Sequence, residues 1–282
     1  MPQPKRRGLL GAIEMKVAAL QMVSGISVQG NLDSAHGLLA EAARGGAELA
    51  VLPEYFCLMG QRDSDKLGVR EKLSEGAIQS FLANTAREFN LWIVGGTLPL
   101  AAGDEAHVRN TSLVFSPEGE LIARYDKIHL FKFDNGRERY DESRVIEPGA
   151  QPVAFDLRDR SGQSWRVGMS VCYDLRFPEL YRALNADVLL VPSAFTYVTG
   201  QAHWELLLRA RAVENLAYVI APAQGGTHEN RRRTWGHSMV VDPWGVVLAE
   251  RDEGPGVVLA DLQADRLAQL RVQLPALEHR AL

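Results

Sequence analysis

The chain has 282 residues, of which 46% are apolar and 23% charged, and its formal net charge is −4. This composition is typical of a globular protein large enough to bury a core and a recessed site, and the mild negative charge gives no reason to expect a nucleic-acid partner. No apolar run is long enough to span a bilayer, so no membrane partner is predicted either. The two cysteines, Cys57 and Cys172, are too few for a disulfide framework, which favours a reducing compartment and a cytoplasmic protein.

The N-terminal segment lacks the features of a targeting signal. Its first residues include basic side chains, but Gly11 and Glu14 interrupt the apolar stretch that follows, which argues against a signal peptide. The sequence contains no Gly/Ser linker, long-period repeat or low-complexity tract. We therefore predict a flexible N-terminal extension over 1–14 and a single domain over 15–282.

Apolar runs of strand length alternate with amphipathic stretches of helix length along the chain. The predicted strands are 17–22, 49–52, 91–95, 112–115, 121–124, 166–171, 188–191, 217–221, 238–241, 246–249 and 256–260. The predicted helices are 31–44, 74–89, 178–184, 202–215 and 265–273. The alternation predicts an α/β fold, and the continuous apolar runs predict strands that are covered on both faces.

Two turn sequences predict antiparallel hairpins. The segment 116–119 is Ser-Pro-Glu-Gly and the segment 242–245 is Asp-Pro-Trp-Gly, and both are typical of turns between strands. They predict that the sheets contain strands of mixed direction. Residues 132–150 are polar and irregular, which is typical of a loop at the rim of a site.

Cys172 follows the predicted strand 166–171 and precedes a helix that begins at Pro178. In open α/β sheets, ligands bind beyond the carboxyl ends of strands, so a thiol at this position can face a substrate. Backbone N–H groups or a nearby cation can also acidify it. A buried structural thiol is an equally good interpretation of the position alone, because most free cysteines are of that kind.

Two charged residues also follow apolar strands. Glu54 comes after the run Leu-Ala-Val-Leu-Pro at 49–53, and a carboxylate there costs free energy unless it is paired or used. Lys127 follows a predicted hairpin strand and has aromatic neighbours, where an ammonium can stabilise an oxyanion or a thiolate. A solvated glutamate and a surface lysine are the ordinary alternatives, but the coincidence with Cys172 favours a base and a nucleophile at one rim.

Other chemical arrangements receive less support from the sequence. A Cys–His dyad that uses His129 or His237 stays open, although no motif favours it. The seven histidines show no zinc-binding spacing, and neither a GxGxxG nor a P-loop motif occurs. We therefore predict no metal and no cofactor.

Three segments together resemble the nitrilase superfamily of carbon–nitrogen hydrolases. They are Leu-Pro-Glu at 52–54, Tyr-Asp-Lys-Ile-His-Leu at 125–130 and Val-Cys-Tyr-Asp-Leu-Arg-Phe-Pro-Glu at 171–179. The resemblance extends from about Lys16 to about Pro275 and implies a four-layer α-β-β-α sandwich of the nitrilase type with mixed sheets. It also implies a homodimer or higher homo-oligomer, usually formed through helices near the nucleophile, and no metal or cofactor.

The same resemblance implies a role for each matching residue. Cys172 is the expected nucleophile, Glu54 the general base and Lys127 the oxyanion stabiliser. Glu142 matches the position of the family's second active-site glutamate, in its Glu-Ser setting. The backbone N–H of Tyr173 is the expected second donor to the oxyanion.

Four further segments, at 192–195, 198–200, 203–211 and 235–245, resemble the amidase branch that includes the deaminated-glutathione amidases and the ω-amidases. They imply a cysteine-dependent amidase that converts a small carboxylate-bearing amide to an acid and ammonia through a thioester, with deaminated glutathione as the expected substrate. The alternatives are an ω-amidase acting on α-ketoglutaramate-like substrates, a nitrilase or N-carbamoyl hydrolase, and an inactive scaffold with the same fold. The loop 133–139 departs from the pattern of both amidases.

A substrate that carries carboxylates needs cationic and polar partners in its pocket. We expect substrate contacts from five residues: Arg176, Ser193, Phe195, Thr199 and Arg232. Arg176 lies one turn beyond the nucleophile, but a structural ion pair with an acid such as Glu179 is an equally good interpretation of it.

Overall fold

Strands and helices alternate along residues 14–281, the part of the chain that the computed structural model describes. The predicted extension over 1–14 lies outside the described residues, apart from Glu14, which begins the first strand. The strands are β1 (Glu14–Gln21), β2 (Leu49–Val51), β3 (Trp92–Val94), β4 (Leu98–Ala101), β5 (Val108–Phe115), β6 (Leu121–Asp126), β7 (Lys132–Asp134), β8 (Arg139–Asp141), β9 (Ala154–Arg158), β10 (Ser164–Met169), β11 (Val188–Leu190), β12 (Tyr218–Ala221), β13 (Gly225–Thr227), β14 (Arg233–Trp235), β15 (Ser238–Val241), β16 (Val247–Arg251) and β17 (Gly256–Gln263). The helices are α1 (Val28–Arg44), α2 (Asp65–Gly68), α3 (Ala77–Phe89), α4 (Pro178–Leu184), α5 (Tyr197–Asn215) and α6 (Ala264–Gln273), with short 3₁₀ helices at Glu142–Arg144 and Cys172–Arg176.

The strands form two large sheets and two short ribbons. The first sheet has seven strands, in the order β17-β1-β2-β3-β5-β4, with β6 also paired to β5. The second has six strands, in the order β16-β15-β12-β11-β10-β9, and the ribbons are β7–β8 and β13–β14. Both large sheets combine parallel pairs, such as β1–β2 and β10–β11, with antiparallel ones, which confirms the predicted mixed sheets.

The side chains of β1 define the layers of the molecule. Val17 and Ala19 belong to the core that also contains Ile220 of the second sheet, whereas Ala18 and Leu20 belong to a core shared with α1 and α3. Because successive strand residues face opposite sides, the first sheet is covered by the second sheet on one face and by helices on the other. The helices α4 and α5 contact β10, β12 and β15 of the second sheet. These contacts confirm the predicted four-layer α-β-β-α sandwich.

Both predicted hairpins are present, as the antiparallel pairs β5–β6 and β15–β16. Along residues 14–281, no helix combines the length and the apolar character that crossing a bilayer requires. The single domain over 15–282 stays a prediction.

Some elements differ from the predicted ones for identifiable reasons. The unpredicted strand β4 contains Pro99, which disfavours an interior strand, but β4 lies at the end of its sheet, where a missing N–H is tolerated. The segment 132–150, predicted to be irregular, contains the ribbon β7–β8. Helix α5 begins at Tyr197 rather than at 202 because the Thr196 side chain caps it. Glycine is needed at position 200 of this helix, because a Cβ there would lie 2.2 Å from the Trp235 side chain.

Candidate active site

Glu54 lies in the loop that follows β2 and is almost completely buried. Its Oε1 accepts hydrogen bonds from Lys127 Nζ at 2.9 Å and from Asn110 Nδ2 at 2.9 Å. Its Oε2 accepts one from the backbone N–H of Ala194 at 2.9 Å. Three donors therefore replace the water that this carboxylate loses on burial, which removes most of the cost of placing it in the core.

Lys127 directly follows β6 and is also fully buried. Its Nζ lies 2.9 Å from Glu54 Oε1 and 2.8 Å from Glu142 Oε2. Burial disfavours the charged amine, but the carboxylates of Glu142 and Glu54 outweigh it, so the pKa of Lys127 is raised above its ordinary value. The side chain is therefore an ammonium held between two carboxylates.

Glu142 begins the 3₁₀ helix after β8 and is the second carboxylate of the group. Its Oε1 accepts a 2.6 Å hydrogen bond from the Tyr55 hydroxyl, and its Oε2 accepts one of 2.7 Å from the Phe131 N–H. Burial raises the pKa of Glu142, but the Lys127 ammonium and these hydrogen bonds lower it by more than burial raises it. The pKa of Glu142 therefore lies below its ordinary value. Glu142 is thus ionised beside Lys127.

Cys172 begins a 3₁₀ helix shortly after β10 and adopts the left-handed conformation, with φ at 52°. Its N–H donates to the Pro192 carbonyl at 3.0 Å, which holds the strained turn in place. Burial and the negative charge of Glu54 raise the pKa of the Cys172 thiol well above its usual range, although Lys127 opposes this. The resting thiol is therefore protonated and needs a base before it can attack.

Asp174 connects the turn at Cys172 to strand β6, which directly precedes Lys127. Its Oδ2 accepts hydrogen bonds from the Tyr125 hydroxyl at 2.7 Å and from the Val171 N–H at 2.8 Å. Its Oδ1 accepts one from the His129 N–H at 3.0 Å. Because Tyr125 belongs to the first sheet and Val171 follows β10 of the second, this one carboxylate fixes the two sheets to each other beside the site.

A cavity opens onto these groups. Its lining contains three of the four predicted catalytic residues, and the fourth, Lys127, contacts both of the lining glutamates. The lining residues are Glu54, Phe131, Glu142, Cys172, Tyr173, Arg176, Ala194, Phe195, Thr196, Thr199 and Arg232. The cavity therefore brings together side chains that are far apart in the sequence.

Four of the five predicted substrate contacts line this cavity, and Ser193 does not. The structure places the Ser193 side chain in the core, where its hydroxyl donates to the Val191 carbonyl at 3.0 Å. The residues that follow it, Ala194 and Phe195, line the cavity instead. Ser193 thus differs from its predicted position.

Arg176 has no acidic partner among residues 14–281, so the alternative ion pair with Glu179 is not present. Its guanidinium lies 5.8 Å from the ring centroids of Tyr173 and Phe195 and within 3.4 Å of His203 Nδ1. A half-buried guanidinium without a counter-ion is available to bind a carboxylate from a ligand in the cavity.

The two histidines considered for a Cys–His dyad lie elsewhere. His129 Nδ1 is 2.7 Å from Asp174 Oδ1, and the ring stacks on Phe177. His237 Nδ1 is 2.7 Å from Glu250 Oε1. Neither histidine lines the cavity, whereas Glu54 and Cys172 both do.

One group in residues 14–281 has the spacing of a metal site, and it consists of His237, Glu250 and Asp252. Both acids are exposed, and the His237 ring stacks on Trp235. None of the three lines the cavity, so the group takes no part in the chemistry described above.

The sequence analysis missed two polar residues that support the catalytic group. Asn110 Nδ2 donates to Glu54 Oε1 and also, at 3.1 Å, to the Tyr55 hydroxyl, which in turn donates to Glu142. For Asn110 the available signal was the run Asn-Thr-Ser at 110–112 directly before the apolar residues 113–115, because three consecutive polar side chains in the interior need partners there.

The model of the carbon–nitrogen hydrolase family matches residues 16–272. The chain belongs to this family. It is 44% identical over 269 residues to the deaminated glutathione amidase of Synechocystis sp. (strain PCC 6803 / GT-S), covering 93% of this chain and 97% of the relative. Family membership and such relatives identify this carbon–nitrogen hydrolase as an enzyme that hydrolyses amides.

Solved structures agree with this assignment. Nit3 of Saccharomyces cerevisiae, a member of branch 10 of the nitrilase superfamily, superposes with a TM-score of 0.85 at 31% identity, covering 95% of this chain and 97% of the yeast chain. A mutant of the amidase from Nesterenkonia sp. AN1 superposes with a TM-score of 0.75 at 30% identity, covering 93% of this chain and 98% of that chain. In that amidase, acrylamide has undergone Michael addition at the active-site cysteine.

Proposed function

We propose that this carbon–nitrogen hydrolase cleaves a small carboxylate-bearing amide through a thioester on Cys172, and that deaminated glutathione is its substrate. The observation that carries the proposal is the convergence of Glu54, Glu142 and Cys172 on one cavity, with Lys127 bound to both glutamates. The relatives named as deaminated glutathione amidases support this choice of substrate.

The first half of the reaction forms the thioester. Glu54 accepts the Cys172 proton, and the thiolate attacks the amide carbonyl carbon. Lys127 has three N–H donors and uses two on carboxylates, which leaves one for the developing oxyanion. The N–H of Tyr173 is the second oxyanion donor, and losing one such donor typically raises the barrier by about 3–4 kcal/mol.

The second half releases the products. The leaving amine takes a proton from Glu54 as the C–N bond breaks, and the acyl group stays on Cys172. Glu54 then removes a proton from water, whose oxygen attacks the thioester and displaces the thiolate, which is reprotonated. The predicted ammonia requires a primary amide. An internal amide of a peptide-like substrate such as deaminated glutathione releases a peptide amine instead.

Two arginines on the cavity wall support a substrate that carries carboxylates. Arg176 has no carboxylate partner among the described residues and lies against Tyr173 and Phe195. Arg232 donates from Nη2 to the Ala194 carbonyl at 3.2 Å, and within residues 14–281 its buried Nε lacks an acceptor. Guanidinium groups bind carboxylates through paired, charge-assisted hydrogen bonds, so both are suited to hold an anionic substrate.

The nucleophile assignment is tested by Cys172→Ala, with Cys57→Ala as the matched control. Cys57 is a buried thiol in the other core, and burial raises its pKa to about 12. We expect Cys172→Ala to abolish amide hydrolysis with an unchanged circular dichroism spectrum, and Cys57→Ala to stay active. Intact mass spectrometry with a slow amide substrate should show an acyl adduct on the wild type and on Cys57→Ala only. Wild-type turnover by Cys172→Ala would overturn the proposed mechanism.

The substrate assignment is tested by a panel of amides and nitriles. We expect kcat/KM to be highest for deaminated glutathione, compared with α-ketoglutaramate, a simple nitrile and an N-carbamoyl amino acid. A preference for α-ketoglutaramate would assign the ω-amidase activity instead. The inactive-scaffold alternative receives no support from a chain that retains Glu54, Lys127 and Cys172.

We also propose a homodimer or higher homo-oligomer in the cytoplasm. Leu206 of α5 is 68% exposed, and Trp244 in the nearby turn is 52% exposed. The Val213 side chain of α5 lies against that turn, because a Cβ on Gly245 would be 2.8 Å from it. Neighbouring exposed apolar side chains are typical of contact surfaces. Sedimentation equilibrium tests the oligomer, which a monomeric mass would contradict, and cell fractionation tests the location.

A further inference from the structure

A second, larger cleft adjoins the active-site cavity. We call it the distal cleft, and among its lining residues are Lys66, Arg139, Tyr140, Asn230, Arg231 and Arg232. Arg232 lines both the cavity and the distal cleft, and a small pocket that contains Phe131, Glu142 and Tyr140 adjoins both. A ligand bound at Cys172 that extends past Arg232 therefore enters the distal cleft.

The walls of the distal cleft are predominantly cationic. They contain four arginines and one lysine but only one acid, Asp63. Three of these cations have acidic partners: Arg62 lies 3.5 Å from Asp65, Lys66 3.4 Å from Asp63 and Arg139 3.8 Å from Asp134. Arg231 makes no ion pair with a carboxylate among residues 14–281. The excess of positive charge favours an anionic group in the cleft.

Arg232 is placed to continue this charge inward to the cavity. Its guanidinium stacks over the Tyr140 ring at 5.0 Å, and one of its amino groups is used on the Ala194 carbonyl. Its Nε is buried and has no acceptor in the described part of the chain. An unsatisfied buried donor costs free energy, which a polar group of a ligand passing this point would recover.

The arginines that line the two spaces indicate which carboxylate of a substrate each space binds. Arg176 lines the cavity at Cys172 but not the distal cleft, which is lined by Arg139 and Arg231 instead. The cavity therefore suits an acyl group with its own carboxylate. The distal cleft suits a second carboxylate on the other side of the scissile bond.

Building on the proposed function, we propose that the distal cleft binds the amine portion of the substrate by its terminal carboxylate, and that Arg139 and Arg231 are the residues that determine this specificity. Arg139 and Arg231 attract the terminal carboxylate, and Asn230 and Tyr140 offer polar atoms along the way. The preferred substrates are then secondary amides with an anionic group on each side of the scissile bond. A primary amide fills the cavity alone and leaves the distal cleft empty.

The test uses three substrates with the same acyl group and the double variant Arg139→Ala/Arg231→Ala. The substrates are deaminated glutathione, its C-terminal carboxamide, and the primary amide α-ketoglutaramate. Losing a charge-assisted carboxylate contact should raise KM for deaminated glutathione by about five- to tenfold in the double variant, with kcat retained. The KM for α-ketoglutaramate should change less than twofold. The carboxamide should show the same raised KM with the wild-type enzyme and no further increase with the variant.

Arg137→Ala is the matched control, because Arg137 is exposed in the same hairpin turn but does not line the distal cleft. It should behave as the wild type. Unchanged KM values for deaminated glutathione in the double variant would overturn the proposal, and so would an equal rise for all three substrates. If the wild type hydrolysed neither deaminated glutathione nor α-ketoglutaramate, the proposed function would fail instead, so the two failures are distinguishable.

Discussion

A lysine between two glutamates determines the resting state of the site. Lys127 balances one of the two negative charges, so the buried group of Glu54, Lys127 and Glu142 carries a net charge of about −1. A thiolate at Cys172 would add a second negative charge in the same low-dielectric region, which the raised pKa of that thiol reflects. The Cys172 thiol therefore stays protonated until a substrate carbonyl can accept the negative charge of the sulfur. A protonated thiol is also protected from oxidation, since the thiolate is the reactive form.

Lys127→Met tests whether this ammonium stabilises the transition state. Removing an oxyanion donor should lower kcat by about 100- to 1,000-fold with little change in KM. The change also leaves two buried carboxylates without their counter-charge, so the free energy of unfolding should fall by about 3–5 kcal/mol. Kinetics at a temperature where circular dichroism shows a folded variant separate the two effects. A raised KM with normal kcat would make Lys127 a substrate-binding residue.

At the level of elements, the catalytic side chains lie in the loops just beyond strands. Glu54 follows β2, Lys127 follows β6 and Cys172 follows β10. The loop with Glu54 lies directly against the loop after β3, where Gly96 has φ at +48°. A Cβ on Gly96 would be 2.0 Å from the Pro53 carbonyl oxygen, so only glycine permits this contact. The close approach of two loops thus fixes the backbone next to Glu54, the proposed general base.

Gly96→Ala should lower both the melting temperature and kcat, because the new methyl group must displace the Pro53 backbone and with it Glu54. The control is Gly37→Ala in α1, where the glycine is exposed and a Cβ would meet nothing within 4 Å. The control should be active and about 0.5–1 kcal/mol more stable, since alanine is the better helix former. Thermal melts and initial rates of both variants provide the measurement. A Gly96→Ala enzyme with wild-type rates would show that Glu54 does not depend on this contact.

For the molecule as a whole, acid stability should depend on one buried histidine. His228 Nδ1 donates to the Ser24 carbonyl at 2.8 Å, and its Nε2 lies 2.8 Å from the Thr234 hydroxyl, which can donate to a neutral ring. Burial lowers the pKa of His228 from 6.5 to about 4. Between pH 6.5 and about pH 4, His228 therefore binds a proton in the unfolded chain but not in the folded protein. Stability is therefore fully present above pH 6.5 and falls as the pH decreases towards 4.

The loss from this single group amounts to about 3 kcal/mol, because each pKa unit corresponds to about 1.4 kcal/mol. Urea unfolding at a series of pH values from 7 to 4 should show a weaker pH dependence for His228→Gln than for the wild type. His279→Gln is the control, because His279 is exposed near the C-terminal end. Parallel pH profiles for the wild type and His228→Gln would contradict the prediction.

The fold was predictable where the chain has continuous apolar runs, as in β1, β11 and β12, because strands covered on both faces need apolar residues throughout. Elements that depend on tertiary contacts were not. Helix α5 has a glycine at position 200 because the packed Trp235 side chain leaves no room for a Cβ. Pro99 is acceptable in β4 because this strand lies at the end of its sheet. Local pattern alone contains neither contact.

In the candidate site, too, some residues were predictable from the sequence and others depend on tertiary contacts. Glu54, Lys127 and Cys172 stood out because reactive side chains follow apolar strands, and the family resemblance then added Glu142. Asn110 was missed because its partner, Glu54, lies 56 positions away, and only the structure brings the two together. The roles given to these residues stay predictions until the variants are measured.

The Asp174 carboxylate, which joins the two sheets, has a consequence for refolding. Glu54 and Lys127 follow strands of the seven-stranded sheet, and Cys172 follows a strand of the six-stranded one. A folding intermediate with only one sheet formed therefore lacks either the proposed nucleophile or its proposed base. Proteins of this size commonly populate such intermediates. Recovery of hydrolysis after dilution from denaturant therefore reports the moment at which the sandwich closes, rather than the earlier appearance of secondary structure.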